Sequence, residues 1–549
     1  MPLFLKFLVA LLLVFTPFSF AATEPWAFSV LQGILFVIYL LLLISRHEIL
    51  YSSVCKPVFY LFFVIIGLSL LQSCFSRTLL DPVPFYPITL VRLYTLEHAS
   101  IFATYLGITL LPMQLFPSMQ EVKQLLWMMV ICAVLVALCA LCFPNGEYVA
   151  KLTGITQYPG AIGPFINRNH AGMFFALNAL GSLGLFFTYQ LRCWSISIRE
   201  QKNTFIIQQT SLAVVTLGLI IATVFTRSRG AMLSLLIGLF AYAFLCFWCI
   251  PSKLKKRLKG FFYSFVLLIL SIGCIYTYLN DINEFSHRSA GVSVEIRQMI
   301  YRSARRILQD YPVWGIGVGA MPVVIPSYTE WDVHQYIERL HNDWLELTLG
   351  IGYGGAILVL IGLVWFIWKV LRRLKRLETR KQFLFAALLS ALLTMCVGGL
   401  VDFHFFIPGC AFVFFSLLGL VLAPTFHKHH IHEIRLPLFV KFVIVILITC
   451  SMWIPLQKTL CWRQFFIGNE LKTQSKLAAY EQGLNYYPSP RYAARLAFAY
   501  YRAGQRDKNF ILKLYYMEKA QQIAQDYLEQ YPKDKELSKV YVQTRRQLN

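Results

Sequence analysis

HNDWLELTLGIGYGG, His341 to Gly355, sets an imidazole and an amide, His341 and Asn342, where a long polar loop turns into an apolar run reaching residue 369. A run of that length crosses a hydrocarbon core about 30 Å thick, and a polar residue at its first turn sits at the membrane surface. The same reading repeats outward along the chain. Apolar runs of spanning length fall near 26–45, 57–74, 98–116, 124–143, 170–190, 205–225, 230–250, 261–279, 382–400, 405–424 and 437–455. Of the 549 residues, 57% are apolar and only 14% charged, against about 25% charged in soluble domains. The expected fold is an all-α polytopic membrane protein of twelve or thirteen transmembrane helices.

The net charge of +23 is spread as short Lys/Arg clusters between apolar runs, the pattern of cytoplasmic loops rather than of a nucleic-acid-binding surface. Lys253, Lys255, Lys256, Arg257 and Lys259 form one cluster, and Arg372, Arg373, Lys375, Arg376, Arg380 and Lys381 another. With both inside, the segments 75–97, 144–169, 226–229, 280–342 and 401–404 and the tail after 456 fall outside, and the amino terminus inside. The first run, 3–22, fits either a cleaved signal peptide or a retained anchor; we take the anchor. The thirteen cysteines lack metal-ligand spacing and lie mostly in apolar runs, where they act as small hydrophobes. His427, His429, His430 and His432 lack a ligand scaffold and read as a solvated loop. Gly315-Ile316-Gly317-Val318-Gly319 lacks the strand-to-helix setting of a nucleotide site and reads as a glycine-rich turn.

Polar residues beside apolar runs are costly and therefore informative. Thr226-Arg227-Ser228-Arg229-Gly230 puts two arginines in a very short external turn, against the positive-inside tendency. An external anion offsets that cost, and a guanidinium matches phosphate oxygens in a two-pronged geometry; the alternative is snorkelling to head groups. The loop 280–342 adds Arg297 within a helical stretch, 294–309. Arg92 stands in the first external loop, Asn169-His170 directly before a span, and Asp402 with His404 in a tiny late turn. After residue 456, Leu496, Ala497, Tyr500 and Gly504, with Tyr480, Gly483, Leu484 and Pro488, take tetratricopeptide-like spacing. The expected divisions are an anchor or first span at 1–22, an N-terminal bundle at 23–279, a large periplasmic loop at 280–342, C-terminal spans at 343–455 and a helical-repeat domain at 456–549.

His341-Asn342, nine residues, then Gly352-Tyr353-Gly354-Gly355 resembles the H-[NSQ]-x9-G-x-x-[GTY] pattern of bacterial O-antigen ligases, O-antigen polymerases and protein O-oligosaccharyltransferases. FINRNHAGMF (165–174), TRSRGAML (226–233), RQMIYRSARRILQDYPVWGIGVGAM (297–321) and LVDFHFFIP (400–408) look like the same superfamily, although Phe403-His404 stands where a more apolar run is expected. The resemblance implies a GT-C-like glycosyltransferase of the bacterial inner membrane with a periplasmic site, using neither metal nor other cofactor. Its donor would be a glycan on undecaprenyl diphosphate, and its acceptor a hydroxyl of lipid A-core or of a protein. It implies His341 as the essential catalytic residue and Arg229 and Arg297, with Arg227 beside them, as diphosphate-binding residues. Asn342, Asn169, His170, Asp402 and Arg92 are taken as supporting.

The chemistry of the residues agrees. Departure of a lipid diphosphate needs its growing charge stabilised, which fixed arginines do, and a hydroxyl nucleophile needs a base, for which an imidazole is suited. A base on the acceptor side favours inversion at the anomeric carbon; the competing role for His341 is a cationic hydrogen bond to the diphosphate. Glu346 either pairs with an arginine or orients His341, and Gly350, Gly352, Gly354 and Gly355 let the helix pack closely. The alternatives are an O-antigen-type polymerase or a lipid-linked glycan flippase, the latter expected to show internal repeats and discontinuous spans. Expected partners are the donor, the acceptor, membrane lipids and a protein docking on the repeat tail; nucleic acid is not among them.

Overall fold

With no water in a bilayer to satisfy backbone N–H and C=O groups, an apolar run of about 20 residues folds as a helix, and the chain is built from such helices. The computed structural model describes residues 2–45, 48–76, 86–149, 160–193, 199–249, 285–329, 337–427, 431–531 and 534–548. The expected span at 261–279 lies outside the described residues. Nine described helices are long and apolar enough to cross a membrane. Of these, α2 (Pro25–Ser45) and α3 (Lys56–Cys74) follow α1 (Pro2–Phe18), which is apolar but shorter. Helix α4 (Arg92–Leu115) is less apolar because it turns Thr95, Glu97, His98, Ser100, Thr104 and Thr109 inward, and Gln32 donates to Ser100 and Thr104.

Helices α5 (Met119–Cys142), α6 (Arg168–Cys193), α7 (Arg199–Phe225) and α8 (Arg229–Cys249) come next, and α5 starts in a capping box between Ser118 and Glu121. After α9 (Phe285–Asp310) come α10 (Asp343–Arg376), α11 (Thr379–Gly398), the short apolar α12 (Pro408–Val421) and α13 (Leu438–Asn469). Helix α6 is buried along its apolar length and packs on α5, α7, α8, α11 and α12, so it forms the centre of the bundle. Helix α13 lies at the periphery against α2 and α4 and runs on into four further helices, α14 (Thr473–Tyr486), α15 (Pro490–Arg506), α16 (Phe510–Gln530) and α17 (Lys535–Leu548).

Of the two basic clusters, 253–259 lies outside the described residues, and the second is described. Lys369 donates to Ser53 O, Lys381 to Thr425 O, Arg372 lies over Trp368 and Lys375 over Trp248, gathering the second basic cluster at one end. His427, expected in a solvated loop, is instead buried with Nε2 2.8 Å from Val421 O; His432 lies in Ile431–Arg435, which pairs antiparallel with Glu48–Ser52, the one strand pair among the described residues, and His429 and His430 lie outside the described residues.

Helix α10 is broken where the sequence is richest in glycine. Gly352 has φ +68°, and the segment Pro312 to Gly319 lies along the opened turn. Ile316 N–H donates to Leu349 O and Gly317 N–H to Gly350 O, while Tyr353 N–H donates to Pro312 O and Gly354 N–H to Val313 O. Gln72 of α3 donates to both Trp314 O and Gly350 O. The GIGVG run is a glycine-rich turn, with Gly315, Gly317 and Gly319 all at positive φ, whose backbone also bonds to α10. Gly350 and Gly352 admit this loop's backbone, and Gly355 with Gly362 admits α3.

Candidate active site

Asn342 caps α10, its Oδ1 accepting from Leu345 N–H at 2.9 Å, which anchors the helix start. One residue earlier His341 takes a left-handed backbone, φ +54°, a conformation costly for a residue with a Cβ. Neighbouring bonds hold it: Tyr301 OH of α9 donates to His341 O at 3.2 Å, and Asp343 N–H donates to Gly399 O at 2.7 Å. The turn directs the imidazole toward the connection between α11 and α12, where Nδ1 lies 3.0 Å from Asp402 Oδ1.

Asp402 is buried and accepts three hydrogen bonds, from His341, from its neighbour Phe403 N–H at 3.0 Å and from Asn169 Nδ2 at 2.6 Å. Burial by itself pushes this carboxyl up, but the His341 hydrogen bond and the imidazoles of His170 and His404 outweigh it and hold it well below the usual carboxylate range. An ionised carboxylate only accepts, so Nδ1 of His341 carries the proton of that hydrogen bond. The His341 side chain is 34% exposed while that of Asp402 is enclosed.

A second layer lies beneath. Phe403 meets His341 edge-on at 5.0 Å and His170 at 4.8 Å, and His170 Nδ1 is 3.2 Å from His404 Nδ1. Phe403-His404, the departure from the expected apolar run, thus supplies the ring that separates the two histidines and the partner of one of them. Burial pushes the His404 imidazole down, against the opposing pull of Asp402. Glu346 resolves its two expected roles in favour of the arginine: Oε1 takes Arg339 at 2.7 Å and Oε2 takes Leu340 N–H at 3.0 Å, fixing the loop segment that enters His341. Arg339 stacks over Phe406 and approaches His98 Nε2 at 3.4 Å.

The structure thus joins His341, Asp402 and Asn169 directly, sets His170 behind them, and leaves Asn342 as a cap. Arg227 and Arg229 flank the buried Ser228; the turn packs on Gly172, and a Cβ on Gly230 would meet Val401, the neighbour of Asp402, at 3.1 Å. Arg297 stands one helical turn before Tyr301 on the same face of α9. Neither the Arg227 nor the Arg297 guanidinium has a hydrogen-bond or ion-pair partner among the described residues. Arg92 is set apart, lining a hollow of about 370 Å³ with Leu90, Gln530 and Tyr531; His98, two turns on, is the α4 residue that approaches Arg339.

The sequence reading passed over Asp343, Arg339 and Tyr301. Asp343 is buried, its Oδ2 accepts from Phe405 N–H at 3.2 Å, and its Oδ1 lacks a partner among the described residues. Only its place beside His341 signalled it. Asp343 and Trp344 stand in the wall of an apolar hollow of about 510 Å³ lined by α3, α4, α8, α10, α11 and α12, with Phe62, Phe102, Phe244 and Phe366 among its walls. Among the described residues no cluster of His, Cys, Asp and Glu has a metal-holding arrangement.

No curated protein matches the chain. A protein-family model described as O-antigen ligase matches residues 213–360, the stretch holding Arg227, Arg229, Arg297, His341 and the opened turn of α10. The domain that carries His341 and the arginine-bearing turns belongs to the O-antigen ligase superfamily.

Proposed function

We propose that the protein is a glycosyltransferase that moves an oligosaccharide from undecaprenyl diphosphate to a hydroxyl, on lipid A-core or on protein, at the periplasmic face of the bacterial inner membrane. The observation that carries this reading is the hydrogen-bonded series Asn169–Asp402–His341. It fixes the tautomer that leaves His341 Nε2 as the base. The acceptor oxygen attacks the anomeric carbon as Nε2 takes its proton. The bond from that carbon to the diphosphate oxygen breaks, and undecaprenyl diphosphate leaves with the electron pair and inversion at carbon. Asp402 stabilises the imidazolium so formed, and Arg227, Arg229 and Arg297 receive the diphosphate charge. The apolar hollow beside Asp343 suits part of the polyprenyl chain. The basic cluster at the far end of the bundle supports the periplasmic assignment.

The broken α10 is the one observation that favours a flippase, since transporters bind substrates at discontinuous spans. Here the Leu349 and Gly350 carbonyls are taken up by the 312–319 segment and by Gln72, so the break serves packing. The test supplies purified protein with an undecaprenyl-diphosphate glycan and either lipopolysaccharide core or candidate proteins. The expected result is inverted transfer to one acceptor, lost in His341→Ala. Lipid translocation without transfer would sink the proposal.

A further inference from the structure

Helix α15 has two opposite faces. Tyr492, Ala493, Leu496, Ala497, Tyr500, Ala503 and Gly504 are buried against the neighbouring helices, whereas Arg491, Arg495, Phe498, Arg502 and Arg506 are exposed. Those five follow one another at four, three, four and four residues, the spacing of a single helical face. Helix α15 contains no acidic residue. The four arginines therefore form a straight basic rail about 22 Å long, with steps of about 6 Å at the four-residue intervals.

The rail is anchored at the site. Arg491 at its lower end pairs with Glu338 at 2.5 Å, and Glu338 is followed by Arg339, Leu340 and His341. Arg339 is held in turn by Glu346. Farther out Phe498 is 38% exposed, and the Arg502 guanidinium lies over its ring at 4.4 Å. Tyr501 lies beside the same ring at 6.3 Å, so the part of the ring left exposed is what meets the C–H groups of a pyranose, and guanidiniums on either side match carboxylate or phosphate oxygens. A line of cations alone suits any acidic chain; cations interrupted by an open aromatic ring suit an acidic sugar chain.

We propose that the exposed face of α15 is a binding rail for an anionic oligosaccharide, one bearing phosphate or carboxylate groups, that extends outward from the His341 site. The proposal rests on the glycosyltransferase reading for the orientation of that chain. The charged sugar belongs either to the acceptor or to the donor glycan, because both enter the same site and share this chemistry.

The test measures binding by titration calorimetry to the full chain in nanodiscs. The probes are a phosphorylated core oligosaccharide, a carboxylate-bearing donor-type oligosaccharide, the dephosphorylated core, and polyglutamate. The expected result is that Arg495→Gln/Arg502→Gln/Arg506→Gln weakens one charged saccharide by about tenfold or more. Arg→Lys changes at the same positions restore part of it, and added salt weakens the wild type more than the variant. Which charged saccharide responds identifies the source. All three residues are exposed, and an unchanged unfolding midpoint verifies the fold. Equal binding of charged and uncharged saccharides, unchanged binding in the triple variant, or tighter binding of polyglutamate than of either charged saccharide would overturn the proposal. Binding is read without turnover. A chain that binds through these arginines but transfers nothing refutes the transferase reading alone; one that transfers with an indifferent rail refutes only this inference.

Discussion

The left-handed backbone at His341 costs about 1–3 kcal/mol, and the bonds from Tyr301 and Asp343 offset it. In return the ring lies on Asp402, 61 positions later in the chain. Asp402→Asn is expected to lower transfer by about 10²–10⁴-fold with little change in KM, because it loses the charge that stabilises the imidazolium. Steady-state kinetics on folded protein checks this; a KM effect alone would refute it. The same turn sets a pH dependence. His404 is held neutral by burial, so below about pH 6.5 the unfolded chain takes up a proton that the folded ring refuses, and stability declines. Asp402, held below its ordinary range, adds a second loss only below about pH 4. Unfolding midpoints in detergent from pH 8 to pH 5 should fall, and His404→Gln should flatten that fall. The pairings of His341 with Asp402 and of His170 with His404 were not legible in the sequence, since nothing local specifies contacts between residues so far apart.

Among the elements, α10 shows how a sequence feature is readable while its partner is not. Its glycines signalled close packing, but the partner is the segment Pro312 to Gly319 more than a neighbouring helix. A Cβ on Gly352 would lie 2.3 Å from Val313 O, on a backbone already at φ +68°. Gly352→Ala is therefore expected to destabilise the fold by about 2–4 kcal/mol, seen as a lower unfolding midpoint and reduced folded yield. Gln72→Leu removes the donor to two buried carbonyls and should cost about 2 kcal/mol. If either variant unfolds like the wild type, the docked segment does not hold the opened turn. Helix α4 was legible as a helix, but its inward polar stripe was not, because its partners lie on α2 and α13.

Across the whole molecule, the helices after α13 are tied to the bundle close to the site. Glu97 of α4 accepts from Lys458 and from Tyr487 OH, each at 2.5 Å, and Tyr94 stacks on Tyr487. Arg491–Glu338 adds a second tie. Glu97→Ala leaves the Tyr487 hydroxyl and the Lys458 ammonium without this acceptor. Faster amide exchange is expected in α14 and at the start of α15, with α6 and α11 unaffected. Hydrogen-exchange mass spectrometry reads this, and unchanged exchange in α14 would show that the tie carries no stability.

The sequence by itself determined the helical membrane fold, the second basic cluster between two spans, and the place of His341 where a polar loop enters an apolar helix. Each rests on composition, hydrophobic run length or a motif within a few residues. Only the tertiary structure decided that Asp402 and Asn169 orient His341, that Glu346 serves Arg339, and that Arg92 lies in the hollow beside Gln530 and Tyr531. It also decided that the 312–319 segment completes α10. Local pattern sets which helices form and which faces are apolar, but the bond partners of a buried polar group follow from how distant helix ends and turns meet, a product of the packing of the whole bundle.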